Sequence, residues 1–201
     1  MTVTTFEPGS TGNSGNARYS GATWPPTTTF LSEFGNLVIM KTWDGGSTYY
    51  ARCGMVLFDT SAIGGAEVTA ATFRLNASTN ETDGDAAFSI IGDYYSEYVG
   101  GAPIFEDYIL TASGTSIFTA RRLNTMTTGY NDFTVTDLSG INGSGDTSIR
   151  VTFDDGGAEG APEGSNIITF VTGTSVWPQL EVTYTPVVPT TAYYLPPLRT
   201  F

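Results

Sequence analysis

The chain has 201 residues, of which only 14% are charged, and its formal net charge is −12. The sequence contains no histidine, which excludes a Ser-His-Asp triad and most zinc sites. Only eight residues are lysine or arginine, so the chain lacks the basic surface with which proteins bind nucleic acid or anionic membranes.

Residues 1–34 form the first predicted unit. They are rich in Gly, Ser, Thr and Asn, and we expect an N-terminal arm that docks on the rest of the chain, with short strands near Val3–Phe6 and Thr28–Leu31. The first residues contain no basic region followed by an apolar stretch, and no later apolar run approaches the roughly 20 residues of a membrane helix. We therefore expect a protein made without a signal peptide and displayed on a virion surface or outside the cell.

Three strands follow this arm. Asn36–Thr42 is mostly apolar and ends at a glycine-rich turn, and Tyr49–Asp59 comes next. In Val68–Asn76 the apolar residues occupy alternate positions, which is the period-2 pattern of a half-buried strand. A polar turn is predicted over Asn80–Asp85.

The remaining pattern is a series of short strands without helices between them, which indicates an antiparallel sandwich. We predict an all-β, antiparallel β-sandwich of jelly-roll type over residues 35–185, followed by a proline-rich C-terminal arm over residues 186–201. The further predicted strands are Ala86–Tyr94, Ser116–Arg122, Tyr130–Thr136, Thr147–Phe153, Ile167–Thr172 and Gln179–Tyr184.

The strand Tyr49–Asp59 is apolar on both faces. Val56 and Phe58 lie on one face, and the other face is formed by Ala51, Cys53, Met55 and Leu57. Only one face of a sandwich strand meets the core, so we predict a second cover: the C-terminal arm, the N-terminal arm or a neighbouring subunit. Cys53 is the only cysteine, and we expect it to be a buried thiol. The residues predicted to contact a partner are Met55, Leu57, Tyr193, Tyr194, Leu195, Leu198 and Phe201.

The segment YARCGMVLFDTSAIGGAEVTAATFRL, residues 50–75, resembles the early core of DNRLRE-type domains, which are β-sandwich modules of surface proteins and polysaccharide-degrading enzymes. The residues that carry the resemblance are Arg52, Phe58, Asp59, Ser61, Ile63, Gly65, Val68, Ala71, Phe73 and Leu75. Two later segments, Phe133–Thr136 and the closing WPQLEVTY, are similar to the family's later strands. The resemblance covers about residues 36–185 and implies a sandwich fold, with sugar binding as in the members classed as carbohydrate-binding modules. Tyrosines at positions 94, 95 and 98 stand where the family carries a tryptophan.

Two groups of carboxylates are candidates for a Ca²⁺ site. Asp83 and Asp85 flank a glycine, and Asp154 and Asp155 precede two glycines. Their oxygens are ligands of the type that Ca²⁺ prefers. The spacing of an EF-hand is absent, however, and aspartate is an ordinary turn residue, so solvated loops are the alternative. No other metal or cofactor is expected.

Aromatic side chains in predicted loops are candidates for glycan contact, because sugars stack on exposed rings. They are Trp24, Trp43, Tyr94, Tyr95 and Tyr98. Packing within the loops or against another subunit is the alternative. The adjacent Arg121 and Arg122 are expected to pair with surface carboxylates.

No nucleophile motif accompanies the lack of histidine, so we expect no enzymatic activity. The favoured function is a structural subunit on a particle surface, specifically a capsid decoration or cement protein of a tailed phage, with itself or capsid subunits as partners. One alternative is a carbohydrate- or receptor-binding module of a tail fibre or cell surface. A subunit of an extracellular filament is the other.

Overall fold

A computed structural model describes residues 1–23, 26, 29–82, 88–101, 116–154, 162, 164–173 and 176–187. Over this part of the chain, the regular structure is twelve strands and a few short 3₁₀ turns, and every strand pair is antiparallel. The strands are β1 (Thr2–Phe6), β2 (Ser14–Gly21), β3 (Thr29–Phe34), β4 (Leu37–Trp43), β5 (Tyr49–Asp59), β6 (Glu67–Thr82), β7 (Ser89–Tyr94), β8 (Arg121–Arg122), β9 (Gly129–Thr134), β10 (Asp146–Asp154), β11 (Ser165–Phe170) and β12 (Gln179–Thr185).

The strands form one curled sheet in the order β1-β12-β6-β11-β4-β5-β10-β7-β8, to which β9 adds on β6, β2 on β5, and β3 on β2. Its two longest strands change partner along their length. Strand β6 pairs with β12 over residues 67–74 and with β11 over 77–82. Strand β5 pairs with β4 over residues 49–52 and with β10 over 54–59. These exchanges allow the sheet to fold back on itself, and the prediction of an all-β, sandwich-like fold is confirmed.

The main core lies inside the curled sheet and is rich in phenylalanine. The rings of Phe58 and Phe73 meet edge to face with centroids 6.1 Å apart, and those of Phe118 and Phe133 are 4.9 Å apart. Burying one such side chain stabilises the fold by about 1.5–3 kcal/mol. At Gly92 of β7, a Cβ atom would stand 2.4 Å from Cε1 of Phe118, so only glycine lets the strand pass this ring.

The predicted N-terminal arm is part of the sheet. Strand β1 pairs with β12, with Thr2 opposite Tyr184, and β2 pairs with β5 along its full length. The side chain of Asn16 fixes β2 further, since its amide donates to the carbonyl oxygen of Asn36 at 2.5 Å and its oxygen accepts the Val38 N–H at 2.7 Å. In the sequence SGNARYSG of β2 only Ala17 and Tyr19 are apolar, and they stand among glycines and polar residues, which explains why no strand is predicted there.

Two predicted elements differ from the structure by more than a shift of their ends. Strand β6 continues to Thr82, so the predicted turn is wrong for residues 80–82, where β11 supplies backbone partners. The amide of Asn80 also donates to the carbonyl oxygens of Leu123 and Met126, at 2.9 and 3.1 Å. The predicted strand at residues 116–122 is shorter, consisting of β8 and one isolated bridge from Phe118 to Val135. Of the predicted C-terminal arm, only residues 186 and 187 are described.

Candidate functional site

The second apolar face of β5 is covered by the chain itself. Met55 and Cys53 are fully buried, which confirms the prediction of a buried thiol. They form a second cluster with Ala17 of β2 and with Leu57 and Tyr98, against which Phe30 and Tyr95 pack. The prediction that this face has a cover is therefore confirmed, and β2 of the predicted N-terminal arm supplies part of it. Neither Met55 nor Leu57 offers exposed surface to a partner in this arrangement.

A buried ion pair closes one side of this second cluster. Arg150 of β10 lies directly opposite Met55 and is only 3% exposed. Its guanidinium makes a two-pronged contact with the carboxylate of Asp93, in which Nε donates to Oδ1 at 3.0 Å and Nη2 donates to Oδ2. The same guanidinium lies 4.3 Å from the ring centroid of Tyr95. Nε, Nη2 and the face of the guanidinium all have partners within the fold, so this contact stabilises the second cluster.

Two arginines share the opposite face of β5 and the neighbouring strand β2. Arg18 of β2 stands directly opposite Arg52 of β5 in the strand register. Nη1 of Arg52 lies 3.1 Å from the carboxylate of Glu33, which reaches across β2 from β3. The guanidinium of Arg18 lies 5.7 Å from the ring centroid of Tyr50, and no described carboxylate is within ion-pair distance of it. Burial, partly offset by Glu33, lowers the pKa of Arg52, and the positive charge of Arg18 lowers it further.

Four strands, β1, β3, β8 and β9, pair with a single strand over the described residues, and two of them, β1 and β3, expose aliphatic or phenylalanine side chains. Strand β3 pairs only with β2, and β1 pairs only with β12. Both edges carry exposed apolar side chains, namely Leu31 and Phe34 in β3 and Val3 in β1. Glu33 is the only charged residue in either strand. Proteins normally protect edge strands with lysine, proline or bulges, so these two edges are suited to pairing with another chain.

The predicted aromatic platform is divided between separate places. Trp43 is 36% exposed and stacks on Tyr49, with centroids 6.4 Å apart and rings inclined by 23°. Tyr94 pairs in register with Ile149, which in turn pairs with Val56, seven positions along β5 from Tyr49. At roughly 3.3 Å per residue, these groups are about 23 Å apart along the strand.

The tyrosines of the 94–98 segment point into the fold. Tyr94 packs against the main core and donates its hydroxyl proton to the carbonyl oxygen of Asp137 at 2.6 Å. Tyr98 is 3% exposed and donates to the carbonyl oxygen of Gly101 at 3.1 Å. Tyr95, as described above, lies under Arg150. Of the predicted glycan-contact residues, only Trp43 is placed as an exposed ring, and Trp24 lies outside the described residues.

The predicted Ca²⁺ ligands are largely outside the described part of the chain. Asp83, Asp85 and Asp155 all lie beyond it, and Asp154 is half-buried at the end of β10. Over the described residues, no group of three or more histidine, cysteine, aspartate or glutamate side chains is placed to hold a metal ion. The Ca²⁺ site stays a prediction. The predicted partner contacts Tyr193, Tyr194, Leu195, Leu198 and Phe201 also lie outside the described residues.

Three exposed aspartates have lowered pKa values because they cap turns. The backbone N–H groups of Thr48 and Gly46 lower the pKa of Asp44. Hydrogen bonds from the serine two residues later lower the pKa of Asp59 and of Asp137. A carboxyl group that acts as a general acid needs a raised pKa, so these three groups are turn-forming carboxylates.

The arginine pair is the feature that the sequence alone does not reveal. Arg52 stands out only through the family resemblance, and Arg18 lies in a segment that resembles a linker. The two are brought together by the register of β2 on β5, which no local pattern specifies. Arg121 and Arg122, the two arginines that are adjacent in the sequence, form strand β8.

Comparison with known proteins gives no family assignment. No protein-family model matches the chain, and a search of curated proteins finds no significant match. The resemblance to DNRLRE-type domains therefore stays a prediction. No helix among the described residues has the length and apolar composition needed to span a bilayer.

Proposed function

We propose that the chain is a non-enzymatic structural subunit that attaches to the surface of a larger particle, of the kind that decorates and stabilises a viral capsid. The observation that supports this proposal most directly is that the free edges of β3 and β1 carry exposed apolar side chains. Strand β3 presents Leu31 and Phe34, which are 42% and 57% exposed, and β1 presents Val3, which is 60% exposed.

The attachment would use backbone hydrogen bonds along an edge together with burial of these apolar side chains. A strand of a neighbouring subunit that pairs with β3 would satisfy its outward N–H and C=O groups, as in β-strand addition. The exposed apolar side chains would then lose contact with water at about 25 cal/mol per Å². A durable attachment requires a total buried area of about 1,200 Å² or more, so further contacts beyond β3 are part of the proposal.

The proposal is tested by sedimentation in extracts of the natural source. The tagged 21.3 kDa chain is expected to sediment with a particle far larger than itself. The double variant Leu31→Lys/Phe34→Lys is expected to remain at the top of the gradient, since two charges on the edge disfavour strand pairing. Val99→Lys is the matched control, because Val99 is 80% exposed but lies outside the strands.

A chain that sediments as a free monomer in the native extract would overturn the proposal. Open-ended polymers of the isolated chain on size exclusion would instead identify a filament subunit. Deletion of residues 186–201 in the same gradient tests whether the predicted contacts of the C-terminal arm take part.

A carbohydrate-binding module is the second candidate, and the exposed stack of Trp43 on Tyr49 favours it. Stacked rings at a strand end offer a flat apolar surface of the kind that sugars bind. A glycan array probed with the wild type and with Trp43→Ala tests it. Signals lost in Trp43→Ala would support sugar binding, and an array without signals would exclude it.

A further inference from the structure

We propose that Arg18 and Arg52 form a binding site for a carboxylate group, supplied by an acidic side chain of the partner chain that docks along β3. This inference rests on the proposed function for the identity of the partner. The site itself is argued from the arginines.

The two arginines occupy directly opposite positions of neighbouring strands, on the same face of the sheet, despite their like charge. Arg18 and Arg52 stand directly opposite each other in the β2–β5 register, and like charges at such positions destabilise a sheet. Arg52 is only 9% exposed, and Arg18 is half-buried. An added anion between them would convert this repulsion into two attractive contacts.

Hydrogen-bond donors at the site lack acceptors. The Nε atoms of Arg18 and Arg52 are both buried, and neither has a hydrogen-bond partner within the described structure. A buried N–H group without an acceptor costs free energy, and more so when it is charged. The planar carboxylate matches the fork of a guanidinium and accepts two N–H bonds from it.

The charge balance favours a ligand with one negative charge. The two arginines contribute +2 and Glu33 contributes −1, so the site carries a net charge of +1. One carboxylate neutralises it. A doubly charged phosphate would leave an excess negative charge on a chain whose net charge is already −12.

The position of the site points to a partner chain as the source of the carboxylate. The side chain of Arg52 extends from β5 across β2 to Glu33, which lies on the open edge strand β3 and is 46% exposed. The site therefore continues to the edge at which the proposed partner docks. Arg18 covers the ring of Tyr50, so the site presents no bare aromatic face to a sugar.

The site is tested on the isolated full chain with acetate, using acetamide as the uncharged probe of the same shape. The ¹⁵N Nε–H resonances of Arg18 and Arg52 are expected to shift and saturate with acetate but not with acetamide. The response is expected to disappear in Arg18→Gln and to persist in Arg74→Gln, whose arginine is already paired with Asp132 at 2.8 Å. Because Arg18→Gln removes a like charge, its melting temperature is expected not to fall.

A negative result in the acetate titration would bear on the carboxylate site alone. A folded chain with no acetate-specific shift, or a shift retained in Arg18→Gln, would overturn the carboxylate site and leave the proposed function untouched. Conversely, a wild-type chain that does not attach to a particle would overturn the proposed function and would leave the acetate result unaffected.

The source of the carboxylate is tested in the particle gradient. Arg18→Gln is expected to weaken attachment about tenfold, as expected for removal of one charge-assisted contact at an interface. Unchanged attachment of Arg18→Gln would overturn the assignment to a partner chain. Oligogalacturonate that binds more than about ten times as tightly as acetate, a gain of about 1.4 kcal/mol, would also overturn it, in favour of an acidic sugar.

Discussion

The two faces of β5 are both buried, but their covers are built in different ways. The face with Val56 and Phe58 meets the interlocking rings of the main core, contributed by strands from the whole sheet. The other face, with Cys53 and Met55, meets a small cluster completed by Ala17 and by segment 94–98. The first face is covered as in any β-sandwich, by the core that forms between the two layers of the sheet. The second depends on one added strand, β2, and one irregular segment.

This difference predicts that damage to the main core costs more stability than damage to the second cluster. Phe73→Ala removes a fully buried ring that contacts the rings of Phe58, Phe118 and Phe133. We expect the free energy of unfolding to fall by about 4 kcal/mol, measured by chemical denaturation. Val3→Ala is the control, since Val3 is 60% exposed. Equal losses in both variants would contradict the assignment of Phe73 to the core.

A cavity in the second cluster should cost somewhat less. Met55→Ala is expected to lower the free energy of unfolding by about 3 kcal/mol, because Met55 is fully buried but its cluster is smaller and better able to collapse. Labelling of Cys53 by a thiol reagent in the native state should accelerate at the same time. Met40→Ala, at a half-buried position of β4, gives the reference loss. A native labelling rate equal to that of the wild type would show that the two residues do not share a cluster.

The ion pair beside this cluster is the next test. Asp93→Asn removes the negative charge that faces the buried guanidinium of Arg150. A hydrogen bond to a charged group contributes about 1.5–3 kcal/mol, and Asp93 remains one-third exposed, so we expect a loss of about 2 kcal/mol. Asp132→Asn breaks the exposed pair with Arg74 and is expected to cost less than about 1 kcal/mol. The ratio of the two losses, measured under the same conditions, decides whether burial matters at this site.

A single hydroxyl group gives a smaller effect. Tyr98→Phe retains the buried ring of the second cluster but removes the hydrogen bond to the carbonyl oxygen of Gly101. The expected loss of stability is about 1 kcal/mol, measured by thermal unfolding. Tyr130→Phe, whose hydroxyl bond to Trp177 is exposed, should cost less. A greater loss of stability in Tyr130→Phe than in Tyr98→Phe would contradict the stronger contribution assigned to the Tyr98 hydrogen bond.

The smallest effect appears only at alkaline pH and concerns Tyr94, on the main-core side. Burial, with a contribution from Asp137, raises the pKa of Tyr94. The unfolded chain ionises this group near pH 10 and the folded chain does so at higher pH. Its contribution to stability is therefore complete below about pH 10 and decreases as the pH rises further. Tyr94→Phe should show a shallower loss of stability above pH 10 than the wild type, and an identical slope would contradict the burial of this hydroxyl.

The sequence predicts well what depends on local alternation. Phe73 and Leu75 of β6, and Leu180 and Val182 of β12, face the core as their period-2 patterns indicate. The presence of apolar residues on both faces of β5 is also evident from its sequence. The all-β sandwich-like class follows from these patterns together.

The identity of the second cover and the arginine pair do not follow from local patterns. Strand β2 is polar and glycine-containing, and it is held by the side chain of Asn16 and by the edge of β5. Such contacts between residues 20 to 42 positions apart leave no periodic signal. The facing of Arg18 and Arg52 depends on this same register, and a shift of one residue would separate them.

The pairing of residues 2–6 with residues 180–184 also sets the order in which the sheet can form. During synthesis on the ribosome, β1 remains unpaired until its partner strand β12 has been synthesised, close to the end of the described chain. Closing a loop of this length before any contact compensates the lost entropy is slow, and topologies dominated by such distant pairings fold in milliseconds to seconds. We therefore expect β1 to be among the last strands to join during synthesis, and its exposed edge to be the part of the nascent chain most open to misassembly.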